Sequence, residues 1–256
     1  MMKKLKFIDF ISMFFRSFLI QASWNYKGLL SIGFCMAMIP VARRFYRKKE
    51  DYERFLCRHL NFFNSHPYMA SYAIGAIARL EEEMANNPQH SPEKIDKFKN
   101  ALIGPLGAVG DQLFWATIKP AVAIFAMAIV LMVENTQTKL LFLIVLLILY
   151  NMPHLYIRWT GIMEGYRQGY NIYRILKIEH FAWFQKRYMF LGAASLGIFC
   201  GYYLFDNLLT DVLGVFVFLV SLGIAIYART RRTMVYRPIL IPLTISLIVG
   251  ILVTQL

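Results

Sequence analysis

Hydrophobic and polar positions along the chain change rhythm twice, and each change predicts a different kind of element. Residues 4–20 set Leu5, Ile8, Ile11, Phe15, Phe18 and Leu19 at helical spacing, interrupted by Lys4, Lys6, Asp9 and Arg16. That pattern predicts an amphipathic helix lying in a membrane interface. Residues 29–40 are apolar, yet shorter than the ~20 positions a simple span needs, and Pro40 closes the run. A buried or re-entrant helix is expected there. From Arg43 to Asn100 the chain turns polar. A helix around 51–63 leads into Phe62-Phe63-Asn64-Ser65-His66-Pro67, where Asn64-Ser65 suit a cap and Pro67 a first turn. The helix they would start runs over 68–85.

Apolar runs then follow at roughly 113–133, 140–157, 189–205, 212–228 and 239–254. Each approaches the ~20 residues that cross a bilayer core. The expected fold is therefore an all-α membrane protein with about five C-terminal transmembrane helices. Before them lies an N-terminal amphipathic and re-entrant region, with helices broken by Gly and Pro. Three regions result: 1–40, amphipathic and re-entrant; 41–112, largely cytoplasmic and helical; and 113–256, transmembrane.

Charge placement gives these runs a direction. Lys and Arg total 28 against 15 Asp and Glu, a net +13, a balance that by itself would also suit nucleic acid. The basic residues, however, crowd into 43–58, 158–187 and 228–237, beside apolar runs, while 134–139 and 206–211 are acidic or neutral. Basic loops stay inside, so 41–112, 158–187 and 229–237 are expected inside and 134–139, 206–211 and the C-terminus outside. A membrane, not a nucleic acid, is the partner this implies. Composition agrees: 58% of residues are hydrophobic and 17% charged, with a mean hydropathy of +0.47. Cys35, Cys57 and Cys200 are scattered and form neither a disulfide framework nor a metal motif. No cleavable signal peptide is evident, and no motif calls for a cofactor.

The candidate chemistry lies mainly before the first long apolar run. Gly104, Pro105, Gly107 and Gly110 lead to a lone acid, Asp111. Glycine and proline disfavour a continuous helix, and a break at a membrane mouth survives only where protein or a polar cavity covers it. Asp111 suits either a ligand pathway or the N-cap of the following helix. Asn64 and His66 could orient a ligand amide or hydroxyl, or serve as structural hydrogen-bonding residues. Glu81, Glu82 and Glu83 read as a solvated face. Acids at a helix C-terminus nonetheless oppose its dipole, so at least one is expected to have a specific basic partner. Gln21, Trp24 and Asn25 form a polar–aromatic cluster, with Trp24 suited to interfacial anchoring. Gly161, Gly165 and Gly169 recur every four residues and offer one smooth face for close helix packing.

Taken in order, these segments resemble the IID subunit of the mannose-family (mannose/fructose/sorbose) sugar phosphotransferase systems. The resemblance rests on Gln21-Ala22-Ser23-Trp24-Asn25-Tyr26, His59-Leu60 with Phe62 to Pro67, Leu80-Glu81-Glu82-Glu83-Met84, Lys99 to Gly107, Gly110-Asp111, Phe114-Trp115, and Gly165-Tyr166 with Gly169. It departs from the family's usual residues at Ser65, Lys27-Gly28 and Ala108-Val109. The resemblance implies a permease subunit of the bacterial cytoplasmic (inner) membrane. Such a subunit works in IIC–IID pairs that translocate a hexose-type sugar, while IIA and IIB relay phosphate. It implies no phosphohistidine in this chain, and no catalytic residue is expected; from the residues, a substrate pathway or subunit contact is expected at Gln21, Trp24, Asn25, Asn64, His66, Glu82, Gly104, Pro105, Gly107, Gly110 and Asp111. Two other readings stay open from the residues: a membrane enzyme using His66, Glu82 and Asp111 as acid/base groups, or a scaffold subunit that does not transport.

Overall fold

The computed structural model describes residues 3–87 and 91–208, together with 216, 219, 220, 223 and 227. The expected span over 239–254 and the loop 229–237 lie outside the described residues, as does most of 212–228. Among the described residues the fold is helical and contains no β-strand. Its elements are α1 (Phe7–Ser17), α2 (Ser31–Phe45), α3 (Lys49–His59), α4 (Ala70–Asn86), α5 (Pro92–Gly110), α6 (Lys119–Met132), α7 (Thr136–Gln168) and α8 (Ala182–Leu208). Short 3-10 turns follow α1 and α7 and precede α8. The chain divides into two units, 1–195 and 196–256, and the functional candidates all lie in the first.

Helix α4 is the axis of that unit. From Ala70 to Ala78 it is buried on all sides, as a helix without a polar face must be. Helix α7 lies closest to it because both helices present glycine. A Cβ on Gly75 would stand 2.1 Å from the Ile162 carbonyl oxygen, and one on Gly165 would stand 2.4 Å from that of Tyr72. Gly161 meets Ser71 and Tyr72 in the same way. The expected smooth face is present at Gly161 and Gly165. Gly169 plays a different part, ending α7 with a φ of 51°, a conformation that a side chain would strain.

The amphipathic N-terminus forms α1, which turns Phe10, Met13 and Ser17 inward. Phe10 meets the Tyr166 ring of α7 edge-on at 4.9 Å. Phe7, Ile8 and Phe15 stay on the outside, each more than 60% exposed. Much of the first half of α7, including Leu140, Leu141, Ile144, Leu147 and Ile148, is also exposed apolar surface. So much exposed apolar surface needs lipid or a partner to cover it. The segments 92–132 and 136–174 are both long and apolar enough to cross a membrane.

Two expectations about proline and glycine, and two about helix caps, are corrected. Helix α2 does not stop at Pro40 but continues to Phe45. Pro40 cannot donate to the Met36 carbonyl, and the Arg16 guanidinium, 3.5 Å away, faces that oxygen instead. The segment 104–110 is not a break either, since α5 runs through Gly104, Pro105 and Gly107 as regular helix. The irregularity comes just after it, where Asp111–Ile118 widens into a π-helix leading into α6 and Pro120. The Thr117 hydroxyl donates to the Gln112 carbonyl five residues back, which suits that wider register. Asp111 therefore sits inside a continuous helix at φ −63° and ψ −43°, so the capping role fails. In α7 the Tyr188 hydroxyl donates to the Leu149 carbonyl that Pro153 leaves free. The Asn64-Ser65 cap is also absent: Met69 precedes α4, and no side chain caps it.

Candidate functional site

Three of the sequence segments singled out above meet at one end of α4. In the loop after α1, the Asn25 side chain folds back, its Oδ1 accepting from the Lys27 and Gly28 backbone at 3.1 and 2.8 Å. The tight turn puts Leu29 at a φ of 52°, which a branched residue adopts only when its surroundings dictate it. Those surroundings are the second segment. Leu30 N–H donates to the Phe63 carbonyl at 2.9 Å, and Phe63 N–H donates to the Gly28 carbonyl at 3.3 Å. Residues 24–30 are thus laced to the Phe63-to-Pro67 loop.

That loop in turn seats His66 on the third segment. The imidazole lies flat on Phe114, with ring centroids 5.0 Å apart, and meets the edge of Trp115 at 5.4 Å. Gly110 makes this possible, because a Cβ there would fall 2.2 Å from His66 Cβ. Nδ1 of His66 accepts from the Tyr68 backbone at 3.3 Å, and Nε2 is buried with no partner among the described residues. Burial, aided by the Arg158 charge, pushes the imidazole down to about 4, so it stays neutral at physiological pH. His66 is a packing element joining two segments.

What this junction presents outward is the exposed side of the α5–π–α6 helix. Gly104, Pro105, Ala108, Asp111, Gln112, Trp115 and Lys119 recur at helical spacing and are all exposed. Lys119 Nζ lies 4.4 Å from the centre of the Trp115 ring. Among the described residues a Cβ on Gly104 or Gly107 would touch nothing within 4 Å. The face is therefore smooth, weakly polar, and bears one carboxylate. Asn64 is exposed two residues before His66, as are Trp24 and Tyr26, whose rings pair at 4.9 Å.

Other predicted residues are not part of this junction. Gln21 is exposed at the end of the turn after α1. Glu82 lies toward the far end of α4, about 18 Å from Ala70 at 1.5 Å per residue. It is buried, accepting from the Leu5 backbone at 2.8 Å and from the Tyr166 hydroxyl at 2.8 Å. An acid/base set of His66, Glu82 and Asp111 is excluded by that separation. Among the described residues no group of three or more His, Cys, Asp and Glu side chains is placed to hold a metal.

The solvated face expected of Glu81 and Glu82 is also corrected, while the expected basic partner is present. Glu81 is fully buried and accepts from Arg58 Nε and Nη2 at 2.9 Å each, from His59 Nε2 at 2.9 Å and from the Tyr46 hydroxyl at 2.7 Å. Burial pushes its carboxyl up, but the hydrogen bonds from His59 and Arg58 and the Arg58 charge reverse this and hold it below the ordinary range. His59 donates as the neutral Nε2–H tautomer, since its buried Nδ1 has no partner among the described residues to receive a proton. Sequence reasoning also missed Arg158 of α7. It is buried with no carboxylate beside it among the described residues, donates to the Ser17 hydroxyl and carbonyl, and lies 5.0 Å from the centres of the Phe18 and Tyr68 rings. A separate cavity of about 1090 Å³, lined by Tyr156, Phe181 and Phe184 among others, contains none of the predicted site residues.

Long apolar helices with uncovered flanks, around a core that buries Glu81 among Arg58, His59 and Tyr46, define a helical membrane protein built to work against lipid and other chains. Residues 4–253 match the family model described as the PTS system mannose/fructose/sorbose family IID component, and the chain belongs to that family. It is 35% identical over 198 residues to the PTS system mannose-specific EIID component of Escherichia coli K12, covering 77% of this chain and 66% of the relative. It is 38% identical over 170 residues to the sorbose-specific EIID component of Klebsiella pneumoniae, covering 66% and 60%. The chain thus spans less than two thirds of the length of these relatives. Among solved structures it resembles a chain of the mannose transporter ManYZ in complex with microcin E492. The TM-score is 0.60 at 34% identity, over 77% of this chain and 70% of that one.

Proposed function

We propose that the chain is the IID permease subunit of a phosphoenolpyruvate-dependent sugar phosphotransferase system. It pairs with a IIC subunit in the bacterial inner membrane and moves a hexose-type sugar inward. IIA and IIB supply the phosphate, and the assembly contains several IIC–IID pairs. The basic stretch Arg43 to Arg58 faces the cytoplasm, in keeping with positive-inside placement.

The observation that carries this reading is the open face of Gly104, Gly107 and Asp111. No contact among the described residues explains glycine at 104 or 107, since a side chain there would enter free space. Glycine costs a helix about 1 kcal/mol relative to alanine, so its presence favours a close approach by something outside the chain. In a membrane, small residues let a second helix come near, and an acid on the same face meets either that helix or a polar solute. The IIC subunit and the sugar together meet both needs.

Co-purification tests this. Gly107→Leu is expected to leave the fold of this chain intact while sharply reducing recovery of the tagged IIC subunit. Full recovery of IIC with Gly107→Leu and Gly104→Leu combined would remove the face from the interface.

A further inference from the structure

Beside α1 and α2, away from the junction just described, lies a cavity of about 360 Å³ lined by Ile8, Asp9, Ser12, Arg16, Ile39, Pro40, Arg43, Arg44 and Arg47. We infer that it is a binding site for the phosphate of an anionic phospholipid headgroup.

Charge is the first argument. Four arginines and one aspartate line the cavity, giving 4 − 1 = +3. The aspartate is already committed: Asp9 accepts from Arg44 Nε and Nη2 at 2.9 and 3.0 Å and from the Lys6 backbone at 2.7 Å. Arg16 reaches only neutral groups, the Ser12 hydroxyl at 3.3 Å and the Met36 carbonyl at 3.5 Å. Arg43 and Arg47 make no ion pair with any described residue, and both are exposed. Three guanidinium groups thus converge on one space without a carboxylate of their own. Guanidinium presents paired donors that match phosphate oxygens, which makes it the usual partner of that group.

Shape chooses the source of the phosphate. The wall carries Ile8 and Ile39 next to the arginines, and Ile8 continues into the exposed apolar flank of α1 formed with Phe7 and Phe15. A free phosphate or sugar phosphate has no use for that flank. A lipid does, since its headgroup enters the cationic end while its acyl chains lie along the apolar one. Basic pockets against membrane helices hold anionic headgroups in this manner. The site does not depend on the transport reading, because it requires only that α1 meet the bilayer surface.

The test uses the full chain in nanodiscs of phosphatidylcholine, with a fluorescent phosphatidylglycerol analogue titrated against a fluorescent phosphatidylcholine analogue. Each surface cation near an anionic lipid contributes about fivefold in affinity, so Arg43→Gln with Arg47→Gln is expected to weaken phosphatidylglycerol binding about 25-fold. Neither side chain makes an ion pair among the described residues, so the protein should remain folded. Lys48→Gln with Lys49→Gln, next in sequence but outside the cavity, is expected to change binding by less than about threefold. An equal effect from both pairs would mean diffuse surface attraction and overturn the site. Equal affinity of the wild type for the two lipids would overturn it too. If inorganic phosphate at millimolar concentration displaced the probe while the lipid class made no difference, the pocket would be a soluble-anion site and the lipid assignment wrong.

Discussion

Gly75→Ala is the sharpest probe of how the α4–α7 pair holds the junction in place. The new methyl carbon would stand 2.1 Å from the Ile162 carbonyl oxygen and 2.8 Å from Tyr166 N. An ordinary contact requires about 3.5 Å, so the two helices must part by ~1 Å or more. Both obstructing atoms are backbone, so no side chain can swing aside. Overpacking a close-packed interior costs about 1–3 kcal/mol, and this rigid crossing belongs at the upper end, ~3 kcal/mol. Gly165→Ala meets the Tyr72 carbonyl at 2.4 Å on the same crossing, and the same parting relieves it. The double variant is therefore expected to cost ~4 rather than ~6 kcal/mol, the non-additivity of residues that share one contact. Gly107→Ala is the matched control: it has open space and the better helix former, so it should stabilise by up to ~1 kcal/mol. Denaturant unfolding of the full chain in detergent micelles, followed by circular dichroism, reads all four variants. Gly75→Ala within about 0.5 kcal/mol of the wild type, the range of inert surface changes, would refute the close-approach reasoning.

Glu81→Gln should destabilise by about 3–5 kcal/mol, because it leaves Arg58, with 9% side-chain exposure, without its counter-charge. Replacing both partners by methionine should recover much of that loss in the same unfolding assay, and a double variant as unstable as the worse single would contradict this. His66 makes stability fall with acid. Its folded value of about 4 lies below the ordinary 6.5, so the unfolded chain takes up the proton first as pH drops. About 3 kcal/mol should be lost between pH 6.5 and 4, and His66→Gln should flatten that part of the stability profile. An unchanged slope in the variant would show that other groups govern it.

Legibility in the sequence follows the range of the interaction. Periodic spacing reveals the face at Gly161 and Gly165 and the amphipathic α1, because both are written within one helix. Pro40 reads wrongly as a stop because the group that accommodates it lies elsewhere, and the Gly104–Gly110 stretch reads wrongly as a break because glycine weakens a helix without having to end it. The carbonyl freed by Pro40 faces Arg16, twenty positions back from Met36. Glu81 reads as solvated because Arg58, His59 and Tyr46 approach it from other parts of the chain, 22 to 35 positions away. His66 is legible as a residue of interest, but its structural role is not, because a flat seat on Phe114 over Gly110 is written in two segments joined only by folding.

The proposed function makes this chain one part of a sugar pathway, with the Asp111 face turned toward the partner and the solute. Uptake of a labelled hexose in a strain lacking only this chain, restored with wild type or with Asp111→Asn at equal membrane abundance, tests it most directly. The expected result is no uptake without the chain, full recovery with wild type, and recovery reduced about tenfold or more with Asp111→Asn, the loss that goes with one charged hydrogen bond. Undiminished uptake in the deletion strain would contradict the claim.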